Sequence, residues 1–296
     1  MIPRRIESSD GQQSKGDPMN GKVVEFSSPS SSPDARGAEV GSADPWTDLR
    51  AHTAARIALG RVGAGLPTKE LLSFGLAHAQ ARDAVHIQLD AAALAARLQT
   101  LGCETLTVRS AASDRATYLL RPDLGRRLNA EDASQLAAQA RPEGCDLLLV
   151  VGDGLSSLAV ERQAVPLIEA IRQLAPTDWT LGPVVIATQS RVALGDEVGA
   201  LLQARMVAVL IGERPGLSSP DSLGIYLTWA PRPGRNDAQR NCISNVRPEG
   251  LPASAAAARL WWLCREARKL QLTGVDLKDR SDGLTLDAGG SAPVLS

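Results

Sequence analysis

The chain has 296 residues, enough for one large domain or two modest ones. Hydrophobic residues make up 44% and charged residues 22%, an ordinary globular composition. A net charge of −1 weighs against a nucleic-acid binder driven by counterion release, and 3% aromatics leave few platforms on which bases could stack.

Residues 1–42 are rich in Ser, Gly, Pro and Asp, with "SSPSSSPDARG" at their centre. Such a segment cannot bury enough apolar surface to offset its ordering entropy, so it reads as a disordered arm. It lacks the apolar core of a secretory signal, and no stretch approaches the roughly 20 apolar residues of a membrane span. The cysteines (Cys103, Cys145, Cys242, Cys264) form no CxxC pair, so no zinc or redox motif is suggested. A reduced, cytosolic protein without a membrane anchor is the expectation.

Residues 43–142 read as a helical and mixed section. "PWTDLRAHTAARIALGR" patterns as a helix with Thr47 as N-cap, "LPTKELLSFGLAHAQARDAV" as a second capped by Thr68, and "LDAAALAARLQTLG" as a third ended by Gly102. "ETLTVRS" alternates like a strand. "TYLLRPDLGRRL" reads as a short strand, a turn and a basic helix start, either an anion site or a partner-facing surface.

Residues 143–280 change pattern. "CDLLLVVGDGLS", "GPVVIAT" and "MVAVLIGERPG" are unbroken apolar runs separated by helical stretches, the first of them broken or kinked at Pro166. "SLGIYLTWAP" is a fourth strand with no helix before it, and a long polar loop leads to the helix "SAAAARLWWLCREARKLQ". Fully apolar strands alternating with helices predict an α/β fold: a Rossmann-like, doubly wound, mostly parallel sheet behind an N-terminal helical section. Residues 281–296 read as a flexible tail.

In such sheets ligands bind beyond the carboxyl ends of the strands. The turns at 152–156, 189–196 and 212–217 all leave such ends and carry polar or special residues. The Gly-Asp-Gly at 152–154 matches neither GxGxxG nor a P-loop, and reads as a helix cap or as a ligand contact through Asp153. Glu213 beside Arg214 is either an exposed ion pair or a carboxylate offered to a polar ligand. Cys242 lies in the polar run "RNCISN", which is unusual for a structural thiol, yet His52, His78 and His86 all lie far upstream and none pairs with it by sequence. The residues offer a cofactor-sized edge without a self-sufficient catalytic set.

The succession "DLRAHTAARIALGRVGAGLPT", "SDRATYLLRPDLGRRL", "VVGDGLSS", "IGERPGLSSPDSLGIYLTWAPRP" and "RNCISNVRPEG" resembles the small (light) subunit of ethanolamine ammonia-lyase, from about Asp44 to Asp279. The resemblance implies an adenosylcobalamin-dependent radical conversion of ethanolamine to acetaldehyde and ammonia. It also implies a hetero-oligomer with a large TIM-barrel subunit that supplies the substrate pocket. The small subunit would close over the cobalamin at the interface, with contacts carried over to Val192, Glu213 and Cys242 and no catalytic residue of its own. None of the three histidines stands in the D-x-H-x-x-G pattern that replaces the cofactor's own lower ligand in other cobalamin proteins. The N-terminus does not present the amphipathic helix that addresses some members to a bacterial microcompartment, and residence there or in free cytosol both stand. A stand-alone binding module for a nucleotide-like ligand and an independent thiol enzyme using Cys242 are the competing readings.

Overall fold

A computed structural model of the chain describes residues 46–53 and 55–281. The expected arm at 1–42, and the expected tail apart from Ser281, lie outside the described residues.

The first α-helix, α1, spans Thr68–His86, and α2 spans Ala91–Thr100 with the Asp90 carboxylate accepting the Ala93 N–H. Gly102, in left-handed conformation, follows α2, as its position in the sequence implies. The strand β1 (Thr105–Arg109), helices α3 (Arg115–Leu120) and α4 (Ala130–Ala138), and strand β2 (Cys145–Gly152) come next. Then follow α5 (Ser157–Gln173), β3 (Leu181–Thr188), α6 (Leu194–Leu201), β4 (Ala204–Gly212), β5 (Leu223–Trp229), β6 (Arg240–Val246) and α7 (Ala253–Leu270).

The strands form one sheet in the order β1-β3-β2-β4-β5-β6. β1 to β4 pair in parallel, β5 runs antiparallel to β4, and β6 antiparallel to β5. β6 therefore points the same way as the parallel strands. All eight residues of β2 are buried because both faces are covered. On the first face Leu147, Leu149 and Val151 join a layer with Leu98, Leu167, Ile171, Leu260 and Trp261 from α2, α5 and α7. On the second face Leu148 and Val150 join Leu136, Leu194 and Val198 from α4 and α6. Among the described residues no helix is long and apolar enough to cross a membrane.

Five local expectations need correction. The helix expected from Thr47 is a single 3-10 stretch, Thr47–His52, with no buried residue to hold a longer one and with Trp46 in the cap position. Thr68 is the first residue of α1 and not its cap; Pro67 precedes it and no side chain caps the end. The strand expected in "TYLLRPDLGRRL" is α3, nucleated by the Asp114 carboxylate on the Thr117 N–H, and the basic helix start is a 3-10 turn at Leu124–Arg126. Pro166 does not interrupt α5: it faces solvent, while eight buried residues pin the helix along its other side. The long polar loop contains β6, so Cys242 stands on a strand.

The last carbonyls of α5 have no partner within the helix. The indole N–H of buried Trp261 donates to one of them, Ile171 O, at 2.8 Å, and its ring meets Trp179 edge-on at 5.3 Å between centroids. Trp261→Phe keeps most of the packing but strands that carbonyl. Urea unfolding of the variant should show a loss of about 1–3 kcal/mol, the cost of an unpaired buried polar group.

Candidate functional site

β2, β3 and β4 deliver their outgoing turns to one edge of the sheet. Asp153, the first residue beyond β2, is 1% exposed and turns inward. Its Oδ1 accepts the Ser190 N–H at 2.9 Å; its Oδ2 accepts the Gln189 N–H at 2.9 Å and Arg115 Nη1 at 3.1 Å. Burial pushes this carboxyl above its ordinary value, while the two amides and Arg115 draw it back. The helix cap expected of this turn falls to Ser156, whose hydroxyl accepts the Ala159 N–H at 3.2 Å. The outgoing chains of β2 and β3 pass to opposite faces, which makes the crevice between them the usual ligand position in a doubly wound sheet. Here that crevice is filled by the chain's own carboxylate, so Asp153 is not free to bind a ligand.

The turn after β3 carries Arg191 and Val192. The Arg191 N–H donates to Gly125 O at 2.8 Å, and its guanidinium lies 4.3 Å from the Tyr118 ring centroid. Val192 is partly buried in the second-face layer together with Val209, Ile211 and Tyr226.

Glu213 leaves β4 on that same face, two residues beyond Ile211. Its carboxylate accepts the Ser222 hydroxyl at 2.5 Å and the Asn245 N–H at 3.3 and 3.4 Å. Arg214 is exposed beside it, so the ion-pair reading gives way to a carboxylate braced on β5 and β6. A Cβ on Gly224 would meet Glu213 Oε1 at 3.0 Å, so a residue without a side chain leaves the carboxylate its place. Cys242 closes the row Val209–Tyr226–Cys242 across β4, β5 and β6. Although the residue as a whole is exposed, partial desolvation of its thiol first, and the Glu213 charge after it, push the thiol up against the opposing hydrogen bond of Tyr226. An upward shift is opposite to that of an activated nucleophile, which weighs against an independent thiol enzyme.

Val192, Glu213 and Cys242 therefore belong to one face of the sheet. The helices packed on β5 and β6 are α5 and α7, both on the opposite face, while α6 covers β4 and β2. Beyond the buried Thr228 and Arg240, the second face of β5 and β6 is left open at half-buried Tyr226 and exposed Cys242. Nearby, a cavity of about 550 Å³ crosses the outer side of α6, lined by Arg126, Arg127, Ala193, Glu197, Arg235 and Asp237. Two carboxylates among its three arginines argue against the anion site considered for the "RPDLGRRL" stretch. Among the described residues no group of His, Cys, Asp and Glu is arranged to hold a metal ion.

A second buried ion pair spans this region. Asp196 in the first turn of α6 and Arg240 at the start of β6 have side chains 2% exposed and in contact. Arg240 also donates to Asp237 at 3.0 Å and to Arg235 O at 3.1 Å. The pair binds the helix that begins after Val192 to the strand that carries Cys242. Nothing local in the sequence announces it, because the partners are 44 residues apart. Tyr226 carries no motif of its own, and strand alternation alone puts it on the Gly224 face.

A family model for the ethanolamine ammonia-lyase light chain matches residues 43–278. The chain is 58% identical over 253 residues to an ethanolamine ammonia-lyase small subunit of Pseudomonas syringae pv. tomato, covering 84% of this chain and 88% of that one. It is 55% identical over 253 residues to the small subunit of Azotobacter vinelandii, covering 84% and 94%. It is 56% identical over 249 residues to that of Ralstonia nicotianae, covering 83% and 92%.

Burial raises the Asp196 carboxyl to about 6, against the pull of Arg240. Its ordinary value is about 3.9, so between these pH values the folded state binds more protons than the unfolded chain. The stability this group contributes is present at low pH and is lost as pH rises through about 6. Asp196→Asn should therefore gain stability relative to the parent chain between about pH 4 and 7, as read by paired thermal midpoints. A constant difference across that range would contradict the assignment.

Proposed function

The chain belongs to the ethanolamine ammonia-lyase light-chain family, and from that premise we propose that it covers the cofactor in a two-chain ammonia-lyase. The reaction takes ethanolamine to acetaldehyde and ammonia and requires a large subunit. When bound, adenosylcobalamin supplies the organic radical that takes a hydrogen atom from the substrate. This chain contributes no catalytic residue; its residues bind, orient and exclude water.

The observation that carries the reading is the open second face of β5 and β6, bounded by Val192, Glu213 and Cys242, in a chain whose family match spans 43–278. The residues there fit a broad, amide-bearing ring. Glu213 gives Oε2 to Ser222 and shares the Asn245 N–H between both oxygens, which leaves Oε1 able to accept a further N–H or O–H. Val192 offers apolar contact. Cys242 is small and soft, and packs against a ring edge or donates weakly. A nucleotide-binding module would need the crevice between β2 and β3, where the Asp153 carboxylate sits on the Gln189 and Ser190 amides.

A surface awaiting a partner supports the two-chain arrangement. Leu71, Leu72, Phe74 and Leu76 of α1 are all exposed, a density of apolar groups that isolated soluble chains seldom carry. Cytosolic residence goes with this reading. The segment that would bear a microcompartment address lies outside the described residues.

Co-production with the large subunit should give acetaldehyde from ethanolamine only when both chains and adenosylcobalamin are present; turnover by this chain alone would overturn the proposal. Within the assembled complex, Glu213→Ala should weaken cobalamin binding by about 1–3 kcal/mol, measured by equilibrium dialysis and visible absorption. Unchanged affinity would take Glu213 out of the contact.

A further inference from the structure

We propose that Asp153 is a positioning residue for the cofactor contact, acting through the backbone of residues 189–191 to fix where Val192 is presented; this rests on the cobalamin reading above.

The segment before Val192 is held at successive backbone groups. The N–H groups of Gln189 and Ser190 both donate to the Asp153 carboxylate at 2.9 Å. The Ser190 carbonyl accepts the Tyr118 hydroxyl at 3.1 Å, and the Arg191 N–H donates to Gly125 O at 2.8 Å. Gln189 adopts φ +55°, a left-handed conformation that a side chain resists unless its surroundings hold it there. Ser190 packs so closely on β2 that a Cβ at Gly152 would lie 2.3 Å from its Oγ.

Asp153 is itself fixed. Arg115 Nη1 reaches its carboxylate at 3.1 Å while Arg115 Nε donates to Val85 O near the end of α1 at 2.7 Å. The carboxylate thus joins α1, α3, β2 and the turn after β3 at one buried point. Two adjacent amides aimed at one carboxylate determine the direction in which the chain leaves β3. The next side chain free of this network is Val192. Asp153, buried behind the turn, has no route to the ligand except through that backbone.

The choice of acceptor is also chemical. Three N–H groups converge on Asp153, and a carboxylate can accept from all of them. An asparagine offers one oxygen and one NH2, so a donor would face a donor.

The test is a double-mutant cycle in the complex with the large subunit, with hydroxocobalamin affinity read by visible absorption. Asp153→Asn should weaken binding about tenfold in the parent background and less than about threefold when Val192→Ala is already present, because both changes act on one contact. Tyr118→Phe, a milder change that removes only the bond to Ser190 O, should show the same coupling. It also carries the test if the Asp153 variant fails to assemble. Equal losses with and without the Val192 side chain would overturn the proposal and leave Asp153 a structural group. No cobalamin uptake by the unsubstituted complex would overturn the functional reading, and this inference with it.

Discussion

Burying β2 on both faces constrains everything around it. Its run from Cys145 to Gly152 can leave water only if helices cover the sheet above and below. Burying each large side chain contributes about 1.5–3 kcal/mol, whereas exposed ion pairs in general contribute about 0–1 kcal/mol. The apolar layers therefore decide the architecture. Parallel pairing of β1 to β4 then sends their outgoing turns to one edge. The reversal at β5 brings β6 round in the parallel sense, so its far end reaches the same edge.

The covering is uneven. α4 and α6 protect the second face over the parallel core, and over β5 and β6 that protection reaches only the Thr228–Arg240 end, through Asp196. Tyr226 is left half-covered and Cys242 exposed, where a partner or large ligand can complete the layer. Together with the exposed apolar residues of α1, this strip is surface that the described residues leave incomplete, in accord with membership of a light-chain family.

Two buried carboxylates hold the strip in shape. Asp153 joins the turns of β2 and β3, and Asp196 joins α6 to β6. Buried ion pairs are a poor source of net stability because desolvation offsets much of the attraction. Their value here is geometric: each connects segments that the apolar layers alone would leave free to shift. The price of one such connection is visible at the β2–β3 crevice, which is filled by the chain's own groups and lost as a ligand site. The open part of the edge lies toward β4, β5 and β6.

The parallel core was legible from unbroken apolar runs, and the ends of β2, β3 and β4 followed from it, because a strand buried on both faces has a periodicity that needs no knowledge of its neighbours. Gly102 and the approximate extents of α1, α2 and α7 were legible for the same local reasons. Short caps such as Asp114 before α3 were present in the sequence but outweighed by the apolar pattern around Tyr118 and Leu119. From sequence alone Cys242 reads as loop, because an edge strand with one face in the open carries polar residues, which local composition cannot distinguish from a turn. Only the tertiary structure placed Asp153 beneath the turn after β3, set Arg240 against Asp196, and brought Val192, Glu213 and Cys242 onto one face. Those relations join residues tens of positions apart, and the physics that forms them, mutual desolvation and hydrogen-bond geometry, acts only once the sheet has brought the segments together.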